Sequence, residues 1–142
     1  SVYEQDRAYI ELLVHILQQL ESLGFKVIVL IAGHYPLLNH ARAAVDWYQL
    51  NGKARAFACT GYELVRDEIP DAGDHAAKWE TSLLMALRPD CVDMSRLPKD
   101  PEEKLIGVGG IDPRANASVE YGRRGVDLVV ERIIAKAREL LG

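Results

Sequence analysis

Apolar side chains recur at positions 10, 13, 17 and 20 within "DRAYIELLVHILQQLES", the spacing of one helix face, and predict a helix over 6–22. Gly24 follows as its stop. "KVIVLIAG", 26–33, changes the period: a short β-branched run that predicts a strand buried on both sides. Helical spacing returns at 38, 41, 45 and 48, with Pro36 suited to a first turn and Gly52 to a stop, so a helix is predicted over 36–52. "ARAFACT", 54–60, predicts a second strand, 61–74 irregular chain, and 80–89 a short helix ended by Pro89. "CVDM" reads as a brief strand, 95–114 as loop, and 117–141 as a long amphipathic helix with Gly122 and Gly125 in its first half.

Helix, strand, helix, strand, helix implies right-handed crossovers and a mainly parallel sheet covered on both faces, an α/β class. No internal repeat or domain boundary is visible, so 1–142 is read as one domain portion. The net charge of −4 and pI near 5.6 argue against a nucleic-acid groove or an anionic membrane as partner. The chain shows no run of apolar residues long enough to span a bilayer and no leader, and a cytoplasmic setting is expected. Cys59 and Cys91, far apart in apolar surroundings, are expected to be reduced core residues.

Parallel sheets place ligands beyond the carboxyl ends of their strands, which singles out "AGHYP". His34 stands just past the first strand; a surface loop histidine is the plain alternative. "GDHAAKWETSLLMALRPD", 73–90, puts Asp74, His75, Trp79 and Glu80 at the start of a helix. One acid serves as a helix cap there, and Glu80 suits the helix dipole, but neither explains the histidine or the tryptophan. Imidazole with carboxylate is the donor set for zinc or manganese, ions that activate water at neutral pH. His34 and Glu80 alone fall short of the three ligands such a site needs. Among weaker signals, "GVGGID" lacks a phosphate-loop context and reads as a loop approaching substrate or a neighbour. His15 reads as solvated, and Arg123 and Arg124, with Arg114, either as a solvated face or as partners of a carboxylate.

"GFKVIVLIAGHYPLLNH", followed some forty residues on by "DHAAKWETSLLMALRPDCVDMSRL" and then "GIDPRANASVEYGRRGVDLVVERI", resembles the creatininase (creatinine amidohydrolase) family across essentially the whole chain. The resemblance implies a three-layer α/β/α fold and a dinuclear centre of zinc, manganese or both that hydrolyses a non-peptide, often cyclic, amide. It makes His34 a metal ligand, His75 the proton-transfer histidine and Glu80 a ligand or supporting carboxylate. Trp79 then walls the substrate pocket or simply packs the helix; Tyr35 lines the pocket or packs beneath a helix. Pro36 stands where creatininase carries a metal-reaching glutamate, and His40 is weighed as a substitute ligand against a surface role. Creatinine is therefore not the expected substrate.

The family's first part supplies a Glu-x-His pair and a bridging aspartate, and no Glu-x-His occurs here. The resemblance thus implies a companion polypeptide that carries those ligands, in a split or processed enzyme and a higher, ring-like oligomer. Ser1 is the candidate processing site: a serine hydroxyl that attacks the preceding carbonyl leaves serine at a new amino terminus. A deformylase or small-peptide hydrolase of the same family, and a non-catalytic subunit that kept the fold, are the alternative functions.

Overall fold

A computed structural model describes residues 2–142, with side chains from residue 6 onward. Ser1, the candidate processing site, lies outside the described residues. The chain forms two compact units, 1–64 with 132–142, and 65–131, each taken by itself below.

In the first unit, helix α1 (Val2–Ser22) leads to strand β1 (Val27–Ile31), helix α2 (Leu38–Gln49) and strand β2 (Arg55–Cys59). The strands pair in parallel, Val27 opposite Arg55 through Ile31 opposite Cys59. Each predicted element of this unit is present, with ends shifted by at most four residues. Leu38, Ala41, Val45 and Tyr48, the four positions at helical spacing, are all buried. The last three make the core with Leu17, Ile28, Ala54, Ala56 and Ala58, so one face of the sheet lies on α1 and α2. Gly24 adopts the left-handed backbone (φ +93°), and its N–H donates to the Glu21 carbonyl at 2.8 Å, as a helix stop requires. Gly52 has a different reason: a Cβ there would lie 2.3 Å from the Tyr48 ring.

Glu21 ties α1 to the turn before β2. Its carboxylate accepts from the Tyr48 hydroxyl, from Lys53 N–H at 2.7 Å and from Ala54 N–H at 3.3 Å. The Tyr48 bond foremost, then the two backbone donors, hold Glu21 below the usual carboxylate range. Burial, then Glu21 itself, pushes the Tyr48 hydroxyl up to about 12. Because Glu21 is depressed in the folded state, its stabilisation is present above the ordinary carboxylate value and is lost as pH falls through the folded one. Tyr48 is raised, so its share is present below about pH 10 and is lost as pH rises toward about 12. Tyr48→Phe is therefore expected to lower the melting temperature by several degrees at neutral pH and to flatten both limbs. Thermal unfolding followed across pH checks this.

The second unit holds α3 (Lys78–Leu87), the single-turn α4 (Pro113–Asn116) and residues 119–131 of α5 (Val119–Leu141). The predicted "CVDM" strand is absent. Pro89–Cys91 and Met94–Arg96 form two 3-10 turns; at the second, Asp93 accepts from the Ser95 N–H at 3.1 Å and hydroxyl at 2.6 Å, and so closes a turn instead of extending. Cys59 is buried as expected, but Cys91, carried on the first of those turns, is exposed; both are free thiols. Gly122 and Gly125 are buried, one against the backbone of Ser82 and the other against the Trp79 ring. No helix among the described residues is long and apolar enough to cross a membrane.

Candidate functional site

β1 ends at Ile31, and the chain turns through Gly33 into a 3-10 turn, Tyr35–Leu37, before α2. His34 precedes that turn in extended backbone (φ −103°, ψ 108°), the usual conformation of a residue flanking a helix start. It is exposed, and no side-chain hydrogen bond or ion pair holds it among the described residues. Tyr35 is half-buried and meets Tyr62 edge to face, ring centroids 4.7 Å apart. Tyr62 sits in a turn fastened by Glu63. One Glu63 oxygen accepts from both the N–H and the hydroxyl of buried Thr60 at 3.1 Å, and the other accepts from Arg42 at 2.8 Å. This fastening at the carboxyl end of β2 joins residues from two elements, and only Glu63's following a strand end hinted at it in the sequence.

His40 is half-buried; its Nε2 lies 3.0 Å from Asp6 Oδ1 and its ring meets Tyr9 edge to face. Its Nδ1 is buried without a partner among the described residues. It joins α1 to α2, neither a solvated surface residue nor part of a ligand cluster. His15 is exposed, as expected.

In the second unit His75, Trp79 and Glu80 gather at the start of α3. Asp74 accepts from Trp79 N–H at 2.6 Å and from Glu80 N–H at 3.1 Å, so one carboxylate satisfies two donors of the first helical turn. Glu80 reaches back to accept from Ala76 N–H at 2.7 Å. Between them Ala76 takes a left-handed backbone (φ +49°), an unfavourable conformation for a residue with a Cβ. His75 itself is pinned by its backbone, which exchanges hydrogen bonds with Gly109 at 2.9 and 2.8 Å. Its imidazole is exposed and faces an open cleft of about 680 Å³ lined by Lys104–Gly109. The glycine-rich loop thus approaches the histidine, and Gly110 (φ +145°) comes so near Asp74 that a Cβ would lie 2.7 Å from the aspartate's own. Asp74→Ala is expected to cost about 1 kcal/mol of stability through the lost cap. Chemical denaturation measures it.

Trp79 is 2% exposed, its ring edge to face with Tyr121 at 6.2 Å and close against Gly125. Those are the contacts of a packing residue. Beside it Asp71 accepts from Lys78 at 2.7 Å and from the Tyr121 hydroxyl at 2.8 Å; burial first, then Asp71, raises the Tyr121 hydroxyl well above its usual range. Arg123 and Arg124 are exposed, while Arg114 is turned into its own loop. Arg114 binds Asp112 and the carbonyls of Pro98, Asp100 and Pro101, closing the preceding loop on itself. Arg123 donates to the Ala86 carbonyl near the end of α3 at 3.0 Å, and Arg124 lies 4.0 Å from Glu68.

The described residues contain no group of three or more His, Cys, Asp or Glu side chains placed to hold a metal ion. Pro36, two residues after His34, offers no donor. Among the described residues, then, no complete donor set for a metal ion comes together.

The fold is that of creatininase. A structure of creatinine amidohydrolase (creatininase) superposes with a TM-score of 0.73 at 22% identity, over 95% of this chain and 64% of that one. A manganese form of creatininase gives 0.72 at 22% identity, over 94% and 64%. A mutant creatininase of Zn-Zn type gives 0.70 at 21%, over 94% and 64%. The chain therefore spans somewhat less than two thirds of the length of these structures. No curated protein matches it. The family model for creatininase, creatinine amidohydrolase, matches residues 2–137. The chain belongs to the creatininase family.

Proposed function

We propose that this chain is one part of a metal-dependent amidohydrolase that cleaves a non-peptide amide, with further metal donors coming from a companion polypeptide. The observation that carries the proposal is His34: an exposed imidazole without side-chain partners among the described residues, just past the carboxyl end of a parallel strand, in a chain of this family. In the assembled site it serves as a metal ligand. Zinc and manganese, named for two creatininase structures, are the ions proposed, bound as a pair. Held there, they would supply Lewis-acid polarisation of the amide carbonyl and a water activated near neutral pH.

This chain's own contribution is proton handling and orientation. The imidazole of His75, open to the cleft, accepts a proton and returns it to the leaving nitrogen. Glu80 is spoken for by Ala76 N–H on one oxygen, which fixes its other oxygen toward the same end of α3. There it acts as a supporting carboxylate or a ligand. Tyr35, held by Tyr62, is proposed to line the substrate side of the His34 turn. Pro36 in place of a donor makes an amide other than creatinine the substrate, and a formamide or a small peptide is the second choice.

Metal analysis of the assembled protein tests the proposal. His34→Ala is expected to weaken binding by at least about 10-fold, since even residues that only support a ligand have effects of that order. Unaltered metal content in that variant would remove His34 from the site. An assembly that binds no ion would favour the non-catalytic subunit.

A further inference from the structure

At the amino ends of the two strands, the opposite end of the sheet from His34, α1 and α2 both finish beside a small cavity of about 220 Å³. Val14, Gln18 and Glu21, spaced i, i+4 and i+7 along one helix face, line it from the last turns of α1. Trp47, Tyr48 and Asn51 line it from the end of α2. Val14 and Tyr48 are buried there, whereas Trp47 is 47% exposed, an unusual position for so large an apolar side chain.

The polar groups of this cavity have bonding capacity left. Glu21 commits one oxygen, Oε2, to the Tyr48 hydroxyl and to the N–H groups of Lys53 and Ala54, and its Oε1 receives no hydrogen bond among the described residues. The side-chain amides of Gln18 and Asn51 and the Trp47 indole N–H are likewise unengaged among the described residues. Two helix carboxyl ends add their negative macrodipoles, and neither last turn carries a basic residue to offset them. The charge of Lys53 reaches Glu21, but its effect is the smallest of those acting on that carboxylate. The place is electronegative and suits a cation. An ammonium is compact and strongly hydrated. A guanidinium is planar and more weakly hydrated, stacks on aromatic faces and forks its N–H donors toward separate acceptors.

We infer that this cavity binds a guanidinium group, its donors shared among Glu21 Oε1 and the amide oxygens of Gln18 and Asn51, its plane laid on the Trp47 ring. The Tyr48 hydroxyl and the two backbone N–H groups hold Glu21 in place, so the carboxylate is ordered before the ligand arrives. The group comes either on a free small molecule or on an arginine side chain of another chain, and both present the same chemistry. The site needs neither a metal nor a companion polypeptide, so its failure would leave the proposed function where it stands.

The probe is ethylguanidinium, titrated into the 142-residue chain at non-denaturing concentration, with ethylammonium and the neutral isostere ethylurea beside it. Nuclear magnetic resonance should show saturable shifts of the Trp47 indole N–H and the Asn51 side-chain amide, while the other indole, buried Trp79, stays unmoved. Ethylurea should bind at least about 10-fold more weakly, the effect of losing a charge-assisted hydrogen bond, and ethylammonium also more weakly than ethylguanidinium. Glu21→Gln should cost about as much as the exchange for urea. Because that variant also loosens Tyr48, Trp47→Leu serves beside it: the position is exposed, so the chain should stay folded by circular dichroism and yet bind about 5-fold more weakly. Shifts that do not saturate, equal binding of ethylurea or ethylammonium, or undiminished binding in folded Trp47→Leu would overturn the inference. A capped arginine peptide separates the two sources. Binding as tight as that of ethylguanidinium assigns the site to an arginine of a neighbouring chain, and exclusion of the peptide assigns it to a free small molecule.

Discussion

His75→Gln in the assembled enzyme is expected to lower kcat by about 10²–10⁴-fold, the usual contribution of a positioned acid–base group. The same variant should melt within about 0.5 kcal/mol of the parent, as surface substitutions do. The separation follows from how the residue is held. Its hydrogen bonds to Gly109 run through the backbone, and its imidazole is exposed to the cleft. Glutamine keeps the backbone bridge and a polar side chain but cannot shuttle a proton. Steady-state kinetics beside a thermal melt checks both halves. A variant with full activity would take His75 out of the chemistry, and one that loses activity only by unfolding would make it structural.

Gly122→Ala should produce the largest loss of stability. A Cβ at 122 would lie 1.9 Å from the Ser82 carbonyl oxygen and 2.4 Å from its carbon, so the obstacle is helix backbone and not a side chain able to rotate away. Relief requires α5 to withdraw from α3. That breaks the Ser118 N–H bond to the Ser82 hydroxyl, 3.0 Å, and opens the packing of Gly125 on Trp79. Overpacking of ordinary cores costs about 1–3 kcal/mol, and with no flexible neighbour the upper end or more is expected here. That corresponds to a melting temperature lower by roughly 10 °C for a domain of this size. Gly33→Ala is the control. Nothing lies within 4 Å of its Cβ position, so it should melt almost unchanged although it adjoins His34.

How far the sequence anticipates this protein depends on whether the cause is local. Helical spacing identified the buried stripe of α2 residue by residue, because a helix repeats its face whatever surrounds it. The strand spans were legible for the same reason. The exposed face of β1 was not: its composition says interior, and only the pairing pattern shows that one side is unfilled. Gly122 and Gly125 were visible as glycines in a helix, but their cause is the approach of α3, some forty residues away. At the candidate site, Asp74 was recognisable as a cap and His75 as unexplained by capping. The Gly109 bridge that pins His75 joins segments 34 residues apart and leaves no local trace. "CVDM" failed as a strand because Asp93 found a nearer partner in Ser95 than any neighbouring strand offered. Arg123 and Arg124 are exposed, as a solvated face requires, whereas Arg114 is held by carbonyls of its own loop, a cause no local pattern shows.

The most direct test is metal stoichiometry, measured on this polypeptide alone and again after assembly with the proposed companion. Alone it should retain no tightly bound ion after dialysis; assembled, it should hold about two, and fewer in His34→Ala. A folded, active preparation of these 142 residues by themselves, with its metal unaffected by loss of His34, would contradict the shared site.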